Sequence, residues 1–172
     1  ENHGFCYGVK RAVEMADEAA NSEGKSYTLG PIIHNPQVVG RLESKGVSPI
    51  QEVADIDEGT MIIRSHGVGP AIYAEAEEKG LHILDATCPH VKKAQQDAKS
   101  VIEDGMTLVI LGEKNHPEVK SINLWANNKG IIIEDEESAE KLQIVEKMGV
   151  VVQTTFSQFK FNSIIEILEK KS

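Results

Sequence analysis

Apolar residues at Val9, Ala12, Val13, Ala16 and Ala20 recur at the spacing of one helix face, which predicts an amphipathic helix after Cys6. The same periodicity returns at Val38, Val39 and Leu42, closed by Gly46, and at Val91, Ala94, Ala98, Val101 and Ile102, closed by Gly105. A further stripe runs through Ile164, Ile165 and Leu168. Between these stripes lie short runs that are apolar or β-branched almost throughout, at residues 27–29, 61–64, 81–84, 107–111, 131–133 and 150–153. Strands that lack polar alternation are those covered on both faces. Their alternation with helices through short turns implies an α/β fold of small, mostly parallel sheets flanked by helices.

In that class, ligands bind beyond the carboxyl ends of the strands. The polar, chemistry-bearing segments 30–36, 64–67, 85–89, 112–118 and 153–155 all follow or end a strand run, so the fold sorts them to one kind of edge. Two of them are related. Cys6 is followed by Gly30 and His34 at offsets of 24 and 28, and Cys88 by Gly112 and His116 at the same offsets. The chain therefore carries a repeat of about 82 residues, each copy delivering one thiol and one imidazole from equivalent turns. Thiolate and imidazole are good ligands for soft and borderline metals, which makes the repeat a device for assembling a cofactor site from several lobes.

The repeat predicts a first α/β lobe at 1–84 whose leading strand is missing, a second lobe at 85–155, and a helix at 156–172 that leads toward a third lobe absent from the chain. By analogy with the first copy, a third cysteine is expected beyond residue 172.

Composition narrows the function classes. Forty per cent hydrophobic and 26 per cent charged residues are ordinary for a globular protein. A formal charge of −9 argues against nucleic acid as a partner, which needs a basic footprint, and means that an anionic substrate requires a local pocket. The apolar runs are too short to span a membrane and no signal peptide opens the chain, so a cytoplasmic location is expected. Two cysteines in 172 residues are too few for a disulfide scaffold and point instead to metal or chemistry.

Cys6 and Cys88 each precede a predicted helix, where unpaired backbone N–H groups favour a negatively charged sulfur. One such cysteine would read as a small buried residue at a tight turn; two at repeat-equivalent turns favour a ligand role. His34, His66 and His116 each follow a strand, a placement compatible with binding metal, donating to a phosphate or carrying protons. Glu118 lies in the first turn of a predicted helix. It either complements the helix dipole or serves as a proton donor, and Gln37 at the corresponding place in the first copy confines the acid to one lobe.

The segments Gly-Phe-Cys-x-Gly-Val-x-Arg-Ala, Gly-Pro-Ile-Ile-His-Asn, Arg-Ser-His-Gly-Val, Asp-Ala-Thr-Cys-Pro, His-Pro-Glu and Gln-Thr-Thr-x-Ser occur in that order between Gly4 and Ser157. Together they resemble the 4-hydroxy-3-methylbut-2-enyl diphosphate reductase family, the iron–sulfur oxidoreductases that close the non-mevalonate route of isoprene biosynthesis. The resemblance implies three pseudo-symmetric lobes around a 4Fe-4S cluster, of which this chain matches about two.

It also implies that Cys6 and Cys88 are two of three cluster ligands. The remaining iron lacks a protein thiolate and engages the substrate hydroxyl. His34, His66 and His116 would line the substrate site and hold the diphosphate, Thr154 would lie near the hydroxymethyl end, and Glu118 would supply protons. The implied reaction is reductive dehydroxylation to isopentenyl and dimethylallyl diphosphate, with ferredoxin or flavodoxin as electron donor and no activity expected of the fragment alone. Two other readings of the residues are a zinc hydrolase using Cys6, Cys88 and a histidine, and a non-enzymatic phosphate-binding module.

Overall fold

The computed structural model describes residues 6–21, 24–33 and 35–171. They form two compact units, Glu1–Pro89 and His90–Ser172.

The first unit runs α1 (Tyr7–Ala20), β1 (Ser26–Leu29), α2 (Pro36–Ser44), β2 (Val47–Ile50), a 3-10 turn (Val53–Asp55), β3 (Thr60–Ile63), α3 (Pro70–Glu78) and β4 (His82–Asp85). Its strands pair in the order β2-β1-β3-β4, all parallel. Strand β3 shows why the run reads as uniformly apolar. Ile62 enters one core with Ala12, Val13 and Ala16 of α1 and Leu42 of α2, while Met61 and Ile63 enter another with Ala76 of α3. Successive side chains thus serve opposite faces, and both are covered.

The second unit consists of α4 (Pro89–Glu103), whose first residue closes the first unit, then β5 (Thr107–Leu111), α5 (Pro117–Trp125), β6 (Ile131–Ile133), α6 (Glu136–Glu140), β7 (Met148–Val152) and α7 (Gln158–Leu168). The strands pair β6-β5-β7, again all parallel. Leu108 and Ile110 of β5 pack with Ala94 and Ala98 of α4 and Val119 and Ile122 of α5. Val109 and Leu111 pack with Ala139 of α6 and Ile164 and Leu168 of α7. Matching β1-β2-β3 to β5-β6-β7 gives the same order in both sheets, so the repeat seen in the cysteine spacing is a repeat of topology. Since every strand is parallel to its neighbours, all carboxyl ends within a sheet share one edge.

Three features depart from the pattern-based expectation. Strand β2 was not expected, because Val-Ser-Pro-Ile carries a proline that cannot donate to a ladder; the strand lies at the sheet edge, where proline is tolerated. The units divide after Pro89 rather than after residue 84. The segment past β4 is tied to the first unit by Ala86 N–H to Ile63 O and Cys88 N–H to Ser65 O, both 3.0 Å. Finally, α7, expected as a helix leading onward from the second lobe, also covers a face of β5 and so belongs to the second unit's core.

Candidate functional site

Helix α1 starts where Cys6 holds an extended backbone (φ −65°, ψ 163°) and accepts the first helical hydrogen bond, Lys10 N–H to Cys6 O at 3.0 Å. Its side chain makes no capping bond, so the exposed thiol is not spent on the helix. Two residues on, Gly8 is buried because Cys88 lies against it. A Cβ at Gly8 would stand 2.8 Å from Cys88 Sγ and 2.9 Å from Cys88 Cβ. The first turn of the helix that Cys6 caps is therefore in contact with the second thiol, and only the absence of a side chain permits that approach. Both cysteines are free.

The turn that carries Cys88 is held from three sides. Asp85 Oδ1 accepts from Thr87 N–H at 2.9 Å, and Asp85 Oδ2 accepts from the Tyr73 hydroxyl at 3.0 Å. Arg11 Nη1 of α1 donates to Thr87 O at 3.3 Å. Burial, reinforced by the neighbouring Asp85 carboxylate, pushes the Tyr73 phenol up to about 12, so Tyr73 remains a donor throughout the physiological range. Ser65, whose carbonyl receives the Cys88 N–H, belongs to the turn after β3, closed by Gly67 N–H to Arg64 O at 3.0 Å. His66 lies half-buried in that turn. The first unit thus gathers Cys6, Cys88 and His66 beyond the carboxyl ends of its strands or at the helix they abut.

A second group forms in the other unit. Glu118, 2 % exposed in the first turn of α5, uses both carboxylate oxygens on the residue after β7: Thr154 N–H donates to Oε1 at 2.6 Å and Thr154 Oγ1 donates to Oε2 at 2.8 Å. Thr154 itself is exposed, so its hydroxyl connects a buried carboxylate to the surface. His116 caps α5, its Nδ1 accepting from Glu118 N–H at 3.2 Å. That bond makes Nδ1 an acceptor and fixes the ring against the first turn of the helix. Gln153, buried at 4 %, accepts from Glu113 N–H at 2.9 Å and donates to Thr155 Oγ1 at 2.8 Å, which holds the ends of β5 and β7 together. A cavity of about 390 Å³ opens nearby, but Glu113, Glu134 and Asp135 line it with Lys160, a lining that disfavours an anion.

Of the residues singled out from the sequence, Cys6, Cys88 and His66 therefore fall in one group and His116, Glu118 and Thr154 in the other. His34 lies outside the described residues. The shared offset of the two histidines conceals a slip of one position. In the first copy Asn35 is the cap, accepting from Gln37 and Val38 N–H at 3.0 and 3.2 Å, whereas in the second His116 is the cap itself. The roles of Gly8, of the Tyr73–Asp85 pair and of Gln153 escaped the sequence reading; each lies within or beside a motif, but its function is a tertiary contact.

No group of three or more His, Cys, Asp or Glu side chains able to hold a metal ion occurs among the described residues. The zinc-hydrolase alternative needs Cys6, Cys88 and a histidine together, and the described residues do not supply such a group. No helix of the described residues is long and apolar enough to cross a membrane.

Comparison with known proteins finds relatives of this chain. A curated relative from Pelobacter propionicus, named 4-hydroxy-3-methylbut-2-enyl diphosphate reductase, is 50 % identical over 169 residues, covering 97 % of this chain and 60 % of its own. One from Geotalea uraniireducens with the same name is 48 % identical over 163 residues, covering 95 % and 58 %. A solved structure of E-1-hydroxy-2-methyl-but-2-enyl-4-diphosphate reductase from Plasmodium falciparum superposes with a TM-score of 0.90 at 31 % identity, over 99 % of this chain and 55 % of that one. A second, titled as (E)-4-hydroxy-3-methyl-but-2-enyl diphosphate reductase, the terminal enzyme of the non-mevalonate pathway, gives 0.83 at 43 % identity, over 96 % and 61 %. The chain spans about 60 % of the length of the curated relatives it matches. The model of the LytB protein family matches residues 1–172, and the chain belongs to that family.

Proposed function

We propose that the protein containing this chain is an iron–sulfur oxidoreductase that removes the hydroxyl group of 4-hydroxy-3-methylbut-2-enyl diphosphate, giving isopentenyl and dimethylallyl diphosphate. The reaction consumes two electrons and two protons and releases water. The observation that carries this reading is the Glu118–Thr154 pair, a buried carboxylate joined through a hydroxyl to the surface. Loss of a hydroxyl as water needs a proton delivered to that oxygen, and an acid reaching outward through one Thr O–H is arranged to deliver it. Thr154 orients the allylic alcohol, and Glu118 holds the proton that the leaving oxygen takes.

Cys6 and Cys88 fit as two ligands of a 4Fe-4S cluster. Both are free, Cys6 does not cap its helix with its sulfur, and Gly8 leaves room for Cys88 against the first turn of α1. The remaining ligation belongs to the part of the relatives' length that this chain does not span. When bound, the cluster supplies single electrons and a Lewis-acidic iron. His34, His66 and His116 are assigned to the diphosphate by their motifs. A ferredoxin or flavodoxin delivers the electrons, and a reducing cytoplasm suits two unpaired thiols.

The test is Glu118→Gln in the full-length protein, purified and assayed without oxygen. Turnover falls by about 10²- to 10⁴-fold while inorganic pyrophosphate still binds. Undiminished turnover would overturn the reading. A phosphate-binding module would show no turnover in the parent protein either.

A further inference from the structure

We infer that Arg64 is an anion-binding residue of the first unit, and that it grips phosphoryl oxygens of the diphosphate with its guanidinium fork. The inference rests on the substrate class proposed above, but the observations behind it are independent.

Arg64 follows β3 directly, so it stands at the carboxyl edge of the first sheet and opens the turn that carries His66. Its guanidinium lies on the backbone at the end of the adjacent strand. A Cβ at Gly30 would be 2.9 Å from Nη1, 3.4 Å from Cζ and 4.0 Å from Nε. Gly30 has a positive φ of 71° and donates its N–H to Ile50 O at 2.7 Å, so the loop is held in place where a side chain would evict the arginine. The seat is thus built by glycine, on the strand pair β1–β3.

Among the described residues, no carboxylate neutralises the cation in that seat. Arg11 donates to Thr87 O and Arg41 pairs with Asp17 at 2.7 Å, but among the described residues Arg64 has neither a carboxylate nor a carbonyl partner. Its Nε is buried without an acceptor. Burial also pulls its pKa below the ordinary value, although an arginine stays charged at neutral pH. In a chain of net charge −9, acidic partners are abundant, so a half-buried arginine left without one is costly to fold. An anionic ligand repays that cost, and a planar guanidinium is matched to two phosphoryl oxygens at once. Since the turn of Arg64 also receives the Cys88 N–H at Ser65, the anion site and the thiol share one framework.

The experiment compares wild-type full-length protein with Arg64→Ala and Arg64→Lys. Inorganic pyrophosphate binding is read by calorimetry under anaerobic conditions, and the kinetics of the allylic diphosphate are measured in parallel. Arg64→Ala weakens pyrophosphate binding at least tenfold and raises KM by a similar factor, with kcat within about threefold. Arg64→Lys, which keeps the charge and nearly the size, loses less but does not regain wild-type affinity, because a point charge cannot fork. If Arg64→Ala fails to fold, the lysine variant carries the test alone. Pyrophosphate affinity unchanged in Arg64→Lys and in a folded Arg64→Ala overturns the inference, as does an unchanged affinity accompanied by a shifted cluster reduction potential, which would assign the guanidinium to the cluster. Weakened pyrophosphate binding in a protein that does not turn over the allylic alcohol would refute the proposed reaction and leave the role of Arg64 standing.

Discussion

At the scale of single residues, the two groups differ in how their side chains are fixed. Glu118 is held by two short hydrogen bonds from one residue, so the pair answers to separate substitutions. Thr154→Val keeps the N–H bond but leaves Oε2 without its hydroxyl donor. We expect a loss of about 1–3 kcal/mol in urea-unfolding stability and a larger loss of turnover, whereas Thr154→Ser retains most of both. Tyr73 offers a pH signature. Folding raises its pKa from 10.0 to about 12, so the stability it contributes is complete below about pH 10 and is lost as pH rises toward 12. Absorbance at 295 nm should show one tyrosine ionising last, at about pH 12, and Tyr73→Phe should abolish that phase.

At the scale of elements, packing of α1 on the turn after β4 decides whether the two sulfurs stay in register. Gly8→Ala places a methyl group 2.8 Å from Cys88 Sγ, with Arg11 holding the same helix to Thr87 O. Neither side can yield freely, and overpacking of this kind costs about 1–3 kcal/mol. The expected outcome is a lowered melting temperature together with weaker iron retention in the full-length protein. Ile110→Ala is a contrast in the second unit. It opens a cavity between β5 and the helices α4 and α5 and should cost about 2–5 kcal/mol by urea denaturation, without the specific effect on iron.

Much of this layer was legible in advance. The stripes at Ala12–Ala16 and Ala94–Ala98 place α1 and α4 because helical periodicity is local, and β3 and β5 are readable because both-face burial leaves continuous apolar runs. Strand β2 was not legible, since Pro49 argues against a strand unless its edge position is known. Nor was α6, whose five residues depend on the reciprocal bonds of Asp135 and Ser138 rather than on a stripe. The site followed the same division. Strand-to-loop boundaries located His66 and His116, and the family motif alone singled out Thr154, but whether a carboxylate among the described residues comes near Arg64 is decided only by tertiary packing.

At the scale of the whole molecule, the two units share a topology and each carries one of the residue groups described, the thiols in the first and the buried acid in the second. The chain has two cysteines and covers about 60 % of its curated relatives. Anaerobic reconstitution of these 172 residues with iron and sulfide should therefore yield a cluster that is lost on desalting, read from visible absorption and labile sulfide. A stable four-iron signal in this chain alone would show that the ligand set proposed here is wrong. The net charge of −9 sets a further expectation for the full-length protein, that affinity for the diphosphate depends on a few desolvated donors rather than on a long-range field.

The unequal loops after β1 and β5 have an evolutionary corollary. Position 30 to position 35 separates β1 from α2, and position 112 to position 116 separates β5 from α5, one residue fewer. In the longer version asparagine already satisfies the opening amides of the helix, and in the shorter version histidine is drafted for that duty. A difference of one residue in loop length is thus one way in which the two copies have come to differ, with His116 rather than an asparagine left to cap its helix.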